Sequence, residues 1–168
     1  VATLSPHQRK LPAAASEIVL NLGALPSAQS WRYISSGYSE SATFTTDGST
    51  LRQNSLGRGG HYSYYQQDNV VDASRPFELS LRARLLQEER ASGSDHNGFG
   101  FAVFTGTHYV NLSFSATGIQ LSGATTTTVA LDTTVFHDYV LSGDPSGSYR
   151  LSVDGVVVAR GDLSKSSG

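Results

Sequence analysis

An Asp154-Gly155 pair near the end of the chain most constrains what this sequence can fold into. Apolar and polar residues alternate over 149–153, and three valines follow at 156–158. A two-residue type I′ turn needs positive φ at both central positions, and Asp-Gly is among the pairs that adopt it most readily. The pattern therefore predicts a β-hairpin. A second Asp-Gly pair, Asp47-Gly48, predicts another hairpin between residues 42 and 53.

Alternation with a period of two is the clearest strand signal in the rest of the chain. After Pro76, residues 77–85 place Phe, Leu and Ala on one face and Glu, Ser and Arg on the other. Residues 108–114 alternate in the same way, with Val110, Leu112 and Phe114 predicted to face a core. About twelve such segments, with regular turn signals and no helical period, predict an all-β fold. Its expected architecture is an antiparallel two-sheet β-sandwich.

Composition limits the domain count and several classes of function. The chain has 168 residues, which is enough for one domain with a core, and it contains no cysteine. Disulfides and thiolate metal sites are therefore excluded. A formal net charge of −2 predicts no nucleic-acid partner. Apolar runs are too short for a membrane helix, so no membrane insertion is predicted.

The N-terminal residues differ in composition from the rest of the chain. Residues 1–15 contain Pro6, Pro12 and a short alanine run, and they are predicted to form a linker or leading arm. One β-sandwich domain is then predicted over residues 16–168. The Val1 start and the absence of Met indicate a removed leader or a chosen boundary. Frequent Ser and Thr, with two lysines beside ten arginines, favour a secreted or cell-surface protein.

Phe136-His137-x-Tyr139 and Val153-Asp154-Gly155 also resemble motifs of a known superfamily. The chain is similar to the concanavalin-A-like lectin/glucanase superfamily, specifically to its laminin-G-like domains. The likeness covers residues 31–160 and includes a Pro-Phe-x-Leu-x-Leu-Arg-Ala-Arg strand at 76–84. It implies a jelly-roll order, with glycans bound on a concave sheet face or in rim loops. These motifs occupy scaffold positions, so they speak to fold more than to activity.

The resemblance also implies a further strand after the Val-Asp-Gly hairpin. Few residues follow Gly155, and the last ones are polar and small. Either the family ends differently here or a closing C-terminal strand is missing. A missing strand leaves an unpaired sheet edge, which a partner segment or a second copy of the chain would complete.

Candidate ligand-binding residues follow from the polar and aromatic faces of the predicted strands. They are His61, Tyr65, Gln67, Arg82, Arg84, Tyr109 and Asn111. Aromatic rings stack on the C–H faces of sugars, while Arg and Asn fix hydroxyls or carboxylates. The competing interpretation is a solvated outer face on which Arg82 and Arg84 form an ion network with Glu78.

No catalytic residue is predicted, although many members of the superfamily are enzymes. The Glu-x-Asp-x-x-Glu spacing of related glycanases is absent, and the adjacent Glu88 and Glu89 point apart on a strand. The tight Gln-x-His and Tyr-x-Ala-Gly-x-Tyr strings of alginate-lyase-like proteins are absent too. The five histidines lack metal-ligand spacing, and His137 is interpreted as a scaffold residue. No cofactor is predicted, but the resemblance leaves bound calcium open.

The leading prediction is an extracellular, non-catalytic β-sandwich module that binds glycan or mediates surface association. Two alternatives from other classes stay open. One is a carbohydrate-active enzyme, a lyase or glycoside hydrolase, using His, Tyr and Arg on the concave face. The other is a structural assembly subunit completed by strand exchange.

Overall fold

The computed structural model describes residues 2–3, 17–57, 60–89 and 99–165. Contacts divide the chain into two compact units, Val1–Val70 and Val71–Gly168, called here the N-terminal and C-terminal units. The fold is predominantly β and its strands pair antiparallel, as the sequence predicts. The predicted arm over 1–15 lies outside the described residues apart from Ala2–Thr3, and a single domain over 16–168 stays a prediction.

The N-terminal unit is built from short strands joined by turns. Its elements are β1 (Ala2–Thr3), a 3-10 helix (Pro26–Gln29), β2 (Arg32–Ser35), α1 (Glu40–Thr43), β3 (Phe44–Thr46), β4 (Leu51–Gln53) and β5 (Ser63–Gln66). Strand β4 pairs with both β1 and β3, while β2 pairs with β5. Over the whole described part of the chain, no helix is long and apolar enough to cross a membrane.

Strands β3 and β4 form the hairpin predicted from Asp47-Gly48. Thr46 lies opposite Leu51, so residues 47–50 make the connection. The Asp47 carboxylate accepts hydrogen bonds from the backbone N–H groups of Ser49 and Thr50, at 2.9 and 2.8 Å. Gly48 has φ of +88°, a conformation that glycine adopts at little cost. The Asp side chain therefore organises a longer turn than the two-residue one expected.

The C-terminal unit contains two antiparallel sheets. Its strands are β6 (Phe77–Ala83), β7 (Gly100–Phe104), β8 (His108–Ser115), β9 (Gly118–Ser122), β10 (Thr126–Ala130), β11 (His137–Gly143), β12 (Ser148–Val153), β13 (Val156–Asp162) and β14 (Ser164–Lys165). Neighbours in the order β13-β12-β11-β6 make what is called here the β11 sheet. In the β8 sheet, β7 lies on one side of β8, β9 and β14 lie on the other, and β10 lies beyond β9.

The chain crosses from one sheet to the other after β13. Leu163 is buried at the crossing, and Ser164 then lies opposite Tyr109 of β8. A short strand therefore does follow the Val-Asp-Gly hairpin and joins the β8 sheet. Residues 166–168 lie outside the described residues, and a partner segment that completes the sheet stays a prediction.

The inward faces of the two sheets form the core of the C-terminal unit. Its buried side chains include Leu81, Val110, Leu112, Phe114, Ile119, Leu121, Tyr139, Leu141 and Leu151. The Phe114 and Tyr139 rings, one from each sheet, meet edge to face with centroids 5.2 Å apart. Each such side chain contributes about 1.5–3 kcal/mol on burial. The alternation at 108–114 thus gives the buried positions predicted from the sequence.

The predicted Asp154-Gly155 turn has the expected geometry. Val153 and Val156 lie opposite each other, and the two central residues have φ of +50° and +81°. Positive φ at both positions defines a type I′ turn, whose twist suits the flanking strands. The strand β13 then bulges, because Leu151 lies opposite Ala159 but Ser152 lies opposite Val157.

His137 connects this turn to the β10–β11 connection. Its ring atom Nδ1 is 2.6 Å from Oδ2 of Asp154, and Nε2 is 2.9 Å from the backbone carbonyl oxygen of Asp132. Because a carboxylate and a carbonyl can only accept, both contacts are satisfied at once only when both ring nitrogens donate, as they do in the protonated imidazole. Burial lowers the pKa of His137, but the hydrogen bonds to Asp154 and Asp132 outweigh burial and raise it above the usual value. We call this arrangement the His137 clamp, and it gives the scaffold histidine a defined structural task.

The His137 clamp predicts stability that declines with rising pH. Since the folded pKa of His137 is raised, its contribution is complete below the unfolded value of about 6.5 and is lost as pH rises through the folded pKa. We expect the Tm advantage of the wild type over His137→Gln to be largest near pH 6 and to shrink toward pH 9. Thermal melts across that range measure it. An advantage that does not change with pH would contradict the clamp.

The contact between the two sheets makes a second prediction. Phe114→Ala should lower the free energy of unfolding by about 3–5 kcal/mol, because it leaves a cavity against Tyr139. Phe104→Ala removes the same side chain from an exposed position and should change stability by about 0.5 kcal/mol or less. Urea denaturation of both variants checks the contrast. Equal losses would show that the two sheets do not share one core.

Candidate functional site

The outer face of the β8 sheet carries side chains that the core does not use. The strand register aligns them in three rows across the sheet. The first row is Phe104, Tyr109 and Ser164; the second is Ala102, Asn111, Ser122 and Thr126; the third is Gly100, Ser113, Gln120 and Thr128. These rows are called here the polar sheet face. Every member points away from Val110, Leu112 and Phe114, because side chains alternate along a strand.

An aromatic pair stands at one end of the polar sheet face. Phe104 is 62 % exposed although it lies within the regular strand β7. Its ring stacks on Tyr109 with centroids 5.7 Å apart and planes inclined by 22°. The neighbouring Ala102 and Gly100 are too small to shield the pair. The two stacked rings therefore project above a flat surface formed by small residues.

The three rows contain only uncharged side chains. Asn111 and Gln120 supply amide groups, and the serines and threonines supply hydroxyls, so the face offers both donors and acceptors. Asn111 lies between Ala102 and Ser122 in its row. Amides and hydroxyls next to the stacked Phe104 and Tyr109 rings suit an uncharged ligand that is rich in hydroxyl groups.

Arg82 and Arg84, two of the predicted ligand residues, lie elsewhere in the C-terminal unit. Their guanidinium carbons lie 5.5 and 4.6 Å from the centroid of the Phe136 ring. Arg82 also lies opposite Asp138 in the β6–β11 register. Cation–π contacts of this kind hold the two side chains against Phe136 of the Phe-His-x-Tyr motif. The arginines thus have structural partners.

The predicted residues of the C-terminal unit do not share one face. Arg82 alternates with the buried Leu81 and Ala83, so it points away from the core on the outer side of the β11 sheet. Tyr109 and Asn111 point away from the same core on the outer side of the β8 sheet. Arg82 and the Tyr109–Asn111 pair therefore face opposite directions.

The other three predicted residues belong to the N-terminal unit. The exposed His61 places Nδ1 3.2 Å from the Ser36 hydroxyl, and Gln67 is half-buried. The Tyr65 ring packs on Phe44, with centroids 4.6 Å apart. Strand β5 thus turns Tyr65 toward the interior of this unit.

The Tyr65 hydroxyl is engaged by a carboxylate. It donates a hydrogen bond of 2.7 Å to Oε1 of Glu40, whose Oε2 accepts one from the Ser27 hydroxyl at 2.8 Å. Burial and then the Glu40 contact raise the pKa of Tyr65 far above its usual value. A phenol that holds its proton this firmly is unsuited to act as a general base near neutral pH. The Tyr65 hydroxyl therefore has a structural partner, and its role in ligand binding stays a prediction.

Aspartates in turns bear on the question of calcium. The carboxylates of four aspartates accept hydrogen bonds from the backbone N–H and the hydroxyl of the residue two positions later: Asp47, Asp72, Asp132 and Asp144. Hydrogen bonds from the Ser146 and Ser148 side chains lower the pKa of Asp144 to about 2. Within the described residues, no three His, Asp or Glu side chains gather as metal ligands would. The predicted absence of a cofactor stays a prediction, with calcium as the alternative that the resemblance leaves open.

Phe104 and Gln120 are two members of the polar sheet face that the sequence prediction did not name. The signal for Phe104 was present, since it lies two residues after Ala102 and four after Gly100 on one face of β7. Gln120 lies on a strand too short for alternation to be decisive. Its position on the face follows from its partner Ser113, which only the register reveals.

Comparison with models of known protein families, with curated proteins and with solved structures finds no match to this chain.

The Tyr65–Glu40 contact yields a prediction that separates structure from ligand binding. Tyr65→Phe should lower the free energy of unfolding by about 1.5–3 kcal/mol, because it removes a hydrogen bond to a charged group. Binding to polysaccharides should be unchanged, since the hydroxyl is directed at Glu40. Urea denaturation and affinity electrophoresis measure the two properties. A variant of wild-type stability with weakened binding would return Tyr65 to the ligand site.

Proposed function

We propose that this chain is a non-catalytic module that binds neutral glycan on the polar sheet face. The observation that carries the proposal is the exposed Phe104–Tyr109 stack beside the uncharged Asn111. An aromatic surface next to amide and hydroxyl groups is the combination that sugars require, because a pyranose has apolar C–H faces and a polar rim. Two facing sheets in the C-terminal unit support the further proposal of a concanavalin-A-like jelly roll.

The ligand is expected to be neutral because the face offers no ion pair to a charged sugar. Members of the three rows are uncharged, so an acidic glycan would lose its hydration without gaining a cationic partner there. Arg82 and Arg84, the cationic candidates from the sequence, are directed to Phe136, which immediately precedes β11. A neutral polysaccharide meets this surface without such a loss.

We propose a non-catalytic role because the titratable groups of His137 and Tyr65 are engaged in structural hydrogen bonds. Both ring nitrogens of His137 donate to fixed acceptors, and the Tyr65 hydroxyl holds its proton against Glu40. Neither group is placed to move a proton to or from a sugar. Glycan binding is an extracellular task for many modules, and we propose secretion or surface display on that ground together with the composition.

The experiment is native affinity electrophoresis in gels that contain galactomannan, laminarin, hydroxyethylcellulose or polygalacturonate. We expect at least one neutral polysaccharide to retard the wild type and Phe104→Ala to bind it roughly tenfold more weakly, because an exposed aromatic contact is lost. Phe104→Tyr keeps the ring and should bind normally. Val135→Ala, an exposed apolar truncation outside the polar sheet face, is the matched control.

Two results would contradict the proposal. One is a wild type that none of the neutral polysaccharides retards. The other is a Phe104→Ala variant that binds as tightly as Val135→Ala.

A further inference from the structure

A second exposed aromatic surface lies in the N-terminal unit, on the side of β5 opposite Tyr65. Tyr62 and Tyr64 are 57 % and 45 % exposed. Their ring centroids are 5.9 Å apart, with planes inclined by 38°. Ile34 lies opposite Tyr64 on β2. These three residues are called here the tyrosine platform.

A set of polar side chains continues the same face beyond the platform. Gln66 follows Tyr64 on β5 and lies opposite Arg32 of β2. Asp68 joins the two, because its Oδ2 accepts from Arg32 Nη2 at 3.3 Å and its Oδ1 accepts from Gln66 Nε2 at 2.5 Å. Arg32, Gln66 and Asp68 are called here the polar triad. Its mutual contacts hold three planar polar groups beside the aromatic rings.

The folding of the N-terminal unit does not account for the platform. Tyr33, Phe44 and Tyr65 supply its aromatic packing on the inner side. The Tyr62 and Tyr64 rings, by contrast, lie beside each other at a tilt, and both are exposed to solvent. Exposed aromatic rings placed together on one face mark a binding surface more often than a scaffold.

We propose that the tyrosine platform and the polar triad form a second binding site, which takes a neutral glycan. The tyrosine rings would lie against the C–H faces of sugar residues, and the triad would exchange hydrogen bonds with their hydroxyls. The proposal adds a site in the N-terminal unit, and it does not depend on the polar sheet face.

The size and charge of the surface favour a glycan over other ligands. Two tyrosines and an isoleucine offer far less apolar area than the roughly 800 Å² per partner of a stable protein interface. The Arg32–Asp68 pair is internally neutral, so an acidic sugar would have to compete with Asp68 for the guanidinium. Amide, guanidinium and carboxylate groups together present both donors and acceptors, as hydroxyl pairs require.

The test compares Tyr62→Ala/Tyr64→Ala, Phe104→Ala and the triple variant in the same polysaccharide gels. We expect the double variant to bind a neutral polysaccharide roughly tenfold more weakly. Tyr62→Phe/Tyr64→Phe keeps both rings and should bind normally. An unchanged thermal midpoint of the double variant shows that the loss is not unfolding.

The outcomes separate the two sites. A loss only in Phe104→Ala overturns the platform and leaves the polar sheet face standing. A loss only in Tyr62→Ala/Tyr64→Ala overturns the polar sheet face and supports the platform. Concentration-dependent dimerisation of the wild type that the double variant abolishes would mean that a second copy of the chain, and not a glycan, occupies the platform.

A charge-changing variant tests separately whether the ligand is neutral. Asp68→Asn leaves Arg32 without its carboxylate, so this variant should gain retardation in polygalacturonate relative to the wild type. Wild-type protein that prefers polygalacturonate to every neutral polysaccharide would overturn the assignment of a neutral ligand.

Discussion

Burial of one face of β8 is the constraint on which the rest of the C-terminal unit depends. Val110, Leu112 and Phe114 are turned inward, where Phe114 meets Tyr139 of the other sheet. Because the strand period is two, Tyr109 and Asn111 must then face solvent. Because β7 and β9 pair with β8, their residues opposite Tyr109, Asn111 and Ser113 face solvent as well. The same alternation therefore produces both the core and the polar sheet face. The rows of this face contain only small, amide, hydroxyl and aromatic side chains, so the face is uncharged.

The His137 clamp shows how the most recognisable motif of the sequence serves the fold. The guanidinium groups of Arg82 and Arg84 lie over the Phe136 ring. His137 connects the β12–β13 turn to the segment before β11, and Tyr139 packs in the core. Asp154 has φ of +50° in the turn and also accepts the backbone N–H of Asp138. A motif whose members all have structural partners is informative about architecture and is poorly placed to report activity.

Strong alternation made much of the C-terminal unit predictable from the sequence. The inward residues of β8 are confirmed, and they were predictable because one face of that strand is entirely apolar. The type I′ turn at Asp154 is confirmed too, and it was predictable because Asp-Gly strongly favours that turn. Strand β5 lacked such a signal, since both of its faces carry tyrosines. Alternation could define two faces there but could not say that Tyr65 points inward and Tyr64 outward.

Residues on different strands were harder still to predict as a group. Arg82 and Asn111 each lie on the polar side of a strand that the sequence predicts well. The two strands belong to different sheets, however, and the outer faces of these sheets point in opposite directions. Which polar faces coincide depends on sheet membership and register, and those are long-range properties that local patterns do not carry. For the same reason Gln120 emerges as a neighbour of Ser113 only when the β8–β9 pairing is known.

The most direct measurement of the central claim is an amide chemical-shift map of the protein titrated with soluble neutral oligosaccharides. We expect perturbations on the polar sheet face, centred on Phe104, Tyr109 and Asn111 and extending to Gln120. Perturbations that cluster instead around Arg82 and Phe136, or a spectrum that no neutral oligosaccharide changes, would contradict it.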